Sequence, residues 1–167
     1  MVGLVDRLLD RGTVVFDERG EQPLTPEMIR VACAHVSQVH AVQERLSIST
    51  EGVLVETADR FQGLERPVML VHHPLSGRVD ADAFHLDVGR LCVAISRHSV
   101  ACFLFSRGGI QEMLLRHAPS GDRILGADED EEFAGWSAHL TVLRKLREQE
   151  RVVSLRHGPL WIYRSAP

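Results

Sequence analysis

Polar and small side chains are concentrated in one segment, VETADRFQGLERP at positions 55–67, which lies between two apolar runs. The segment contains Thr57, Asp59, Arg60, Gln62, Gly63 and Glu65. Hydroxyl, carboxylate and amide groups can hydrogen-bond a ligand, and glycine lets the backbone approach it closely. A capped turn with solvated charges would have the same composition. The segment therefore indicates either a ligand site or a polar turn.

A second candidate for binding chemistry is the pair Arg90 and Arg97. They are seven residues apart in a segment of helical spacing, which places them two turns apart on one face. Guanidinium groups match the oxygens of phosphate, and the small Ala94 between them would keep that face open to an anion. Two solvated surface arginines would have the same spacing, so spacing alone leaves both interpretations open.

The chain has no phosphate loop of its own. The pattern G-x-x-x-x-G-K-[S/T] does not occur, and Lys145 is the only lysine. No G-x-G-x-x-G follows a predicted strand, which disfavours a small-molecule enzyme on a Rossmann-like sheet. The acidic run ADEDEEF follows no apolar strand, so we interpret it as solvated surface charge. With a net charge of −4, nucleic acid would be bound weakly and only at a local site.

Short apolar runs alternate with helical patterns along the chain. Strands are predicted at 29–34, 53–55, 67–72 and 100–105, and helices at 3–11, 37–46, 83–97, 109–117 and 133–149. Continuous apolar strands between helices are typical of a parallel sheet covered on both faces. We therefore predict an α/β domain of three layers with a mainly parallel sheet. The tail is predicted to form a hairpin that turns at positions 157–159.

Finer predictions concern the ends and faces of the helices. Gly12 is expected to end the first helix, and Ser37 is expected to be the N-cap of the second. In the helix at 83–97, the residues Phe84, Val88, Leu91, Cys92 and Ile95 form one apolar stripe. We expect this stripe to be buried and the two arginines to lie roughly opposite it.

The composition, 44% hydrophobic and 25% charged, is that of a soluble globular protein, and 167 residues predict one domain spanning 1–167. The odd number of cysteines, Cys33, Cys92 and Cys102, predicts buried free thiols in a reducing cytoplasm. No apolar run approaches the roughly 18 residues of a membrane span. The histidines lack paired ligand spacing, so no metal site is predicted, and Trp136 and Trp161 are expected to pack.

Two motifs resemble motifs V and VI of superfamily 1 helicases, most closely the branch of the nonsense-mediated-decay helicase and its DNA-processing relatives. That family has Thr or Ser, then D-x-F-Q-G-x-E, an apolar strand, and R-L-N-V-A-L-[T/S]-R-A. The first motif is matched by Asp59, Phe61, Gln62, Gly63 and Glu65, and the second by Arg90, Leu91, Val93, Ala94, Ser96 and Arg97. Cys92 replaces the usual asparagine and His98 the usual alanine.

Upstream, ACAHVSQVHAVQERL resembles motif IV, with Gln38 at the glutamine of P-Y-R-x-Q and Val36 at its arginine. The resemblance covers about 29–107, followed by an extension at about 118–167. It implies a RecA-like domain, the second lobe of a P-loop NTPase. It also puts the phosphate contact usual for motif IV in doubt, because valine cannot make it.

The resemblance implies a role for each matched residue. Arg97 would be the arginine finger at the transferring γ-phosphoryl group. The nucleotide cleft would further be lined by Gln62, Gly63, Glu65 and Arg90, with Glu65 accepting a hydrogen bond from the ribose. Thr57, and more weakly Gln38, would contact nucleic acid.

The resemblance also implies partners. ATP and Mg²⁺ would be bound only together with an N-terminal lobe that carries the Walker A and B motifs, and the substrate would be single-stranded DNA or RNA. We expect the chain alone not to hydrolyse ATP. The alternative is a helicase-derived interaction module that has lost catalysis, which Val36 favours and the retained Glu65 and Arg97 disfavour.

Overall fold

The computed structural model describes residues 1–18, 20–46, 50–61, 63, 65–116, 118, 128–149, 152–155 and 158–164. Its helices are α1 Val2–Asp10, α2 Val36–Gln43, α3 Ala83–Leu86, α4 Val88–Ser96, α5 Ile110–Arg116 and α6 Asp128–Glu148, with 3-10 turns at Pro26–Met28 and Ala58–Phe61. Its strands are β1 Val14–Asp17, β2 Gly20–Pro23, β3 Ile29–Cys33, β4 Leu54–Thr57, β5 Arg66–His72, β6 His98–Phe105, β7 Val152–Leu155 and β8 Gly158–Arg164.

The main sheet has six strands in the order β4-β3-β5-β6-β8-β7. The four strands from β4 to β6 are parallel, whereas β8 pairs antiparallel with β6 and β7 antiparallel with β8. The predicted C-terminal hairpin is thus confirmed, and it continues the sheet beyond β6. The predicted position of its turn, 157–159, is wrong, because Gly158 and Pro159 pair with Leu155 and Ser154 as part of β8. The strands β1 and β2 form a separate antiparallel pair.

Alternation along the strands gives the sheet two apolar faces. One face carries Ala32, Met69 and Val71 and packs in a core with α3, α4, α5, α6 and the 3-10 turn Ala58–Phe61. The other carries Val31 and Leu70 and packs with α1, α2 and the β1–β2 hairpin. This arrangement confirms the predicted α/β architecture of three layers, a RecA-like fold of the P-loop NTPase type.

The first helix and its end follow the sequence prediction. Val5 is fully buried in α1 while Leu4, Leu8 and Leu9 pack partly against the same core. Gly12 follows the helix with a φ of +59°, the left-handed conformation in which glycine ends helices. No helix among the described residues is both long and apolar enough to cross a membrane.

The helix predicted at 83–97 is two helices, because the chain bends at Asp87 (φ −53°, ψ 112°). The carboxylate of Asp87 accepts a hydrogen bond from the backbone N–H of Arg90 (2.9 Å), and so caps a new helix, α4. The predicted stripe is confirmed at Leu91, which is buried, and at Ile95, which packs partly against the core, and it is wrong at Phe84, Val88 and Cys92. Phe84 and Val88 are 41% and 38% exposed, and the buried residues of α4 are Leu91 and Ala94.

Other helix boundaries also differ. His35, not Ser37, is the N-cap of α2, since the Oε1 atom of Gln38 accepts a hydrogen bond from the backbone N–H of His35 in a capping box. The acidic run does not precede α6 but forms its beginning. Glu131 in this run is exposed, as expected of solvated charge.

Candidate functional site

Because four strands of the sheet are parallel, their carboxyl ends lie along one edge of the sheet and their amino ends along the opposite edge. At the carboxyl edge, β3, β4 and β5 end at Cys33, Thr57 and His72. At the amino edge, Glu65 and Arg97 immediately precede β5 and β6. The polar segment at 55–67 therefore begins at one edge and returns to the other. Its polar residues are therefore divided between the two edges of the sheet.

The amino edge brings Glu65 and Arg97 together. The backbone N–H of Arg66, which follows Glu65, donates a hydrogen bond to the carbonyl of Arg97 (3.1 Å). The starts of β5 and β6 therefore lie side by side. Burial lowers the pKa of His98, and the nearby charge of Glu65 partly opposes this shift. The structure thus places Glu65 and Arg97 just before two neighbouring strands.

Arg97 has an unusual environment. It is the C-cap residue of α4 and half-buried, and its Nε atom is buried with no hydrogen-bond partner among the described residues. The Nε atom of Arg30 on β3 is likewise buried and unpartnered, and burial lowers the pKa of Arg30, assisted by the charge of Arg66. Buried donors without acceptors are costly to a fold.

An open groove runs along this edge. Its lining includes Glu65, Arg66 and Ser99 together with Asp17, Glu18 and Glu27. Gly63, with a φ of +74°, adopts a conformation that favours glycine, and the space where a Cβ would stand is open. Gln62 lies outside the described residues.

The structure does not place Arg90 near Arg97. It lies in the first turn of α4, about 10 Å along the helix axis from Arg97. The two do not share an unobstructed face, because Ala94 between them is buried in the core with Ala58 and Phe61 of the 3-10 turn. Arg90 instead contacts Asp59 through Nε (3.3 Å) at the carboxyl edge. A phosphate there would compete with this carboxylate.

The predicted nucleic-acid contacts lie at the carboxyl edge. Thr57 is the last residue of β4, half-buried and paired with Cys33 of β3. The Oε1 atom of Gln38 accepts hydrogen bonds from the backbone N–H groups of Ala34 and His35 (3.1 Å each), so this oxygen is engaged in capping α2. Val36, at the arginine position of the motif, is 60% exposed.

A row of planar side chains at the carboxyl edge was not predicted. The His35 ring stacks on the Phe84 ring, with centroids 5.3 Å apart and 12° between the planes. The guanidinium carbon of Arg90 lies 4.2 Å from the centroid of Phe84. The sequence predicts Phe84 in the buried stripe of a single helix. The break at Asp87 instead leaves Phe84 exposed, where it can contact His35 and Arg90.

Below this row lies a chain of histidines that the sequence did not reveal. His85 donates from Nδ1 to Asp82 (2.6 Å) and lies 2.9 Å from His35 between Nε2 atoms. The carbonyl of His85 accepts a hydrogen bond from Nε2 of His139 (3.1 Å). The Nδ1 atom of His139 in turn lies 3.3 Å from Nε2 of His73.

The innermost histidines are neutral. The backbone N–H of Leu75 donates to Nδ1 of His73 (3.2 Å), so Nε2 of His73 carries the hydrogen and donates to His139. Burial lowers the pKa of His139 to about 4, and burial also holds the pKa of His73 well below its ordinary value. These contacts join α6 to α3 and to the residue that follows β5. No group of three or more His, Cys, Asp or Glu side chains within the described part of the chain is arranged to hold a metal.

The cysteines and tryptophans fit their predictions in part. Cys33 and Cys102 are buried, and burial raises their pKa values to about 11 and about 12. Cys92 is exposed, contrary to the prediction, because it faces away from the buried side of α4. Trp136 packs against the core and donates from Nε1 to the carbonyl of Leu114 (2.7 Å), and the side chain of Trp161 lies outside the described residues.

Fold and edges define a domain of the helicase-like RecA class. A sequence model of the family described as AAA domain matches residues 2–108, which is more than half of the chain. The chain therefore belongs to this family, a domain found in the C-terminal regions of superfamily 1 helicases. Neither the comparison with curated proteins nor that with solved structures gives a match. The match begins in α1, well before the segment that resembles helicase motifs.

Proposed function

We propose that this chain is the second RecA-like lobe of an ATP-dependent superfamily 1 helicase, of the nonsense-mediated-decay and DNA-processing branch. Its amino edge would complete an ATP site whose other half is an N-terminal lobe with Walker A and B motifs. The observation that carries this proposal is the backbone hydrogen bond from Arg66, next to Glu65, to Arg97 at the starts of β5 and β6, with the buried Nε of Arg97 lacking a partner among the described residues.

The chemistry would be hydrolysis of ATP bound with Mg²⁺ on the partner lobe. Water attacks the γ-phosphorus while the bond to the β,γ-bridging oxygen breaks, giving ADP and phosphate. Arg97 would neutralise charge on the γ-phosphoryl oxygens, and Glu65 would accept a hydrogen bond from the ribose. Gln62 and Gly63 would line the cleft. Arg90, which contacts Asp59 at the other edge, would need to leave that carboxylate to reach a phosphate.

Nucleic acid would run along the carboxyl edge past Thr57. The 3-10 turn Ala58–Phe61 follows Thr57 directly, and the same connection ends at Glu65. A movement of this connection would therefore link closure of the nucleotide cleft to the strand. Gln38, with its oxygen engaged in the cap of α2, could contribute only through its amide nitrogen.

Complementation tests this proposal. The chain is mixed with an N-terminal lobe from a superfamily 1 helicase of the same branch, and ATP turnover is measured with and without single-stranded DNA or RNA. We expect turnover only from the mixture, stimulated by nucleic acid, and a fall of about 10³ to 10⁵ in rate for Arg97→Ala. Arg144→Ala, which removes an exposed arginine of α6 instead, is the matched control and should leave the rate unchanged. Full activity of Arg97→Ala would contradict the arginine-finger role.

The alternative is a catalytically inactive interaction module derived from a helicase. It is favoured by Val36, an exposed apolar side chain at the position where the motif has a phosphate-binding arginine. If the mixture forms a stable complex but shows no turnover, and Val36→Arg does not restore it, this alternative is preferred.

A further inference from the structure

His35 and His85 face each other across the carboxyl edge of the sheet. His35 lies between β3 and α2, and His85 lies in α3, 50 positions further along the chain. Their Nε2 atoms are 2.9 Å apart, which is hydrogen-bonding distance. His85 is buried and His35 is half-buried. The contact therefore joins the start of α2, on one face of the sheet, to α3 on the other face.

The number of protons on the two rings decides whether this contact can exist. The Nδ1 atom of His85 lies 2.6 Å from the carboxylate of Asp82, so this nitrogen carries a hydrogen and donates it. A hydrogen bond between the two Nε2 atoms needs one hydrogen and one lone pair. This condition is met while the pair is neutral or while one ring is an imidazolium. When both rings are protonated, two N–H groups point at each other and the hydrogen bond is lost.

Charged groups around the pair determine when the second proton is added. Asp82 attracts protons to the pair, whereas Arg78, which is bound to Asp82 (3.1 Å), repels them. The pKa of His35 is lowered from its ordinary value of 6.5 by burial and then by the charges of His85 and Arg78, with Asp82 opposing the shift. His35 therefore becomes protonated below pH 6.5. The other titratable or charged groups near the pair are Asp80 beside Arg78, His72 at the end of β5, Arg90 of α4 and His139 of α6.

We propose that the His35–His85 pair is a pH-sensitive switch, in which protonation of both rings breaks their contact and releases α3 from the start of α2. The release would reach Arg90, because its guanidinium carbon lies 4.2 Å from the centroid of the Phe84 ring and its Nη1 donates to the carbonyl of Phe84 (3.2 Å). Arg90 is one of the predicted nucleotide contacts. The switch depends on the fold alone, whereas an effect on ATP turnover through Arg90 rests on the proposed function.

Nuclear magnetic resonance of the full chain between pH 7.5 and 5 tests the switch. The imidazole nitrogen signals report the protonation of each ring, and nuclear Overhauser effects report the contacts of His35 with His85 and Phe84. We expect these contacts at pH 7.5 and their loss as His35 becomes protonated.

Hydrogen exchange of backbone amides measures the release of α3. The N–H groups of His85 and Leu86, which donate to Asp82, should lose roughly 2- to 10-fold of their protection between pH 7.5 and 5, the ratio that corresponds to one hydrogen bond. Amides in the core of β5 serve as the reference, because core strands exchange only on global unfolding. They report any loss of global stability, including the loss caused by His139.

Glutamine variants remove the switch without removing the contact. In His85→Gln, the amide oxygen can accept a hydrogen bond from a protonated His35, so His35 and Phe84 should stay in contact down to pH 5. The pKa of His35 should also rise, because the charge of His85 is absent. His35→Gln leaves the buried His85 in place and should likewise abolish the pH-dependent exchange of the α3 amides. His40→Gln, in the exposed part of α2, is the matched control and should behave as the wild type. Circular dichroism at pH 7.5 verifies that each variant is folded.

Four outcomes would overturn the inference. His35 stays unprotonated down to pH 5, or the two rings remain in contact after both are protonated. Alternatively, the α3 amides lose protection only in step with those of β5, or their pH-dependent loss persists in both glutamine variants at these two positions. None of these measurements involves ATP, so a failure of the switch is distinguishable from a failure of the ATPase complementation.

Discussion

The buried His139 makes the stability of this fold dependent on pH. In the native state its pKa is about 4, lowered by burial from an ordinary value of 6.5, whereas the unfolded chain takes up a proton near 6.5. Between these values the unfolded state binds more protons, so the free energy of unfolding falls as the pH falls. A difference of about 2.5 units corresponds to about 3 kcal/mol for this residue alone, fully lost at about pH 4.

Urea unfolding followed by circular dichroism at a series of pH values from 7.5 to 4 measures this loss, at about 1.4 kcal/mol per pH unit per proton. His139→Gln should reduce the slope by about one proton, although it also lowers stability by removing contacts with His73 and His85. His40→Gln, in the exposed part of α2, is the matched control and should not reproduce that change. If His139→Gln has the slope of the wild type, the proton is taken up elsewhere and the reasoning fails.

Two further predictions concern packing and thiol reactivity. A Cβ on Gly135 would overlap the backbone carbonyl of Leu86, so Gly135→Ala should lower the free energy of unfolding by about 1–3 kcal/mol. Gly108 has open space around it, so Gly108→Ala should change the free energy of unfolding little. Equal urea midpoints for the two variants would refute this prediction. Because Cys92 is exposed while burial raises the pKa values of Cys33 and Cys102 to about 11 and about 12, one thiol per native chain should react quickly with an aromatic disulfide reagent at pH 8. Cys92→Ser should abolish that fast phase, and a fast phase that persists in this variant would contradict the assignment.

The sheet could be predicted from sequence because its strands are short apolar runs whose residues face two cores. The run at 29–34 became β3, with Val31 and Ala32 on opposite faces. Periodicity predicted the helices but not their breaks. One aspartate, Asp87, ended a continuous helical pattern because its carboxylate caps the following helix, and Phe84 and Val88 on either side of it are exposed instead of buried.

The candidate site could be predicted only where its residues belong to local sequence motifs, and not where they meet through the folding of distant segments. Glu65 and Arg97 were predicted as site residues through motif resemblance, and the parallel pairing of β5 with β6 places them just before two neighbouring strands. The histidine chain was not predictable, because His73 and His139 are 66 residues apart and meet only through the packing of α6. The contact of Arg90 with Asp59 was not predictable, since spacing on a helix does not reveal the acids that approach from another segment.

The C-terminal hairpin has a consequence for how the chain is made and cut. β8 occupies the side of β6 that faces away from β5, and it lies beyond the segment matched by the AAA domain family. A fragment ending at residue 108 would present β6 as a bare edge, with its backbone donors and acceptors open to any other extended chain. In a nascent chain on the ribosome, the same side of β6 has no paired strand until the hairpin has been synthesised. Newly made copies are therefore most prone to aggregate during that interval, and a chain trimmed to the family boundary would remain in that vulnerable state permanently.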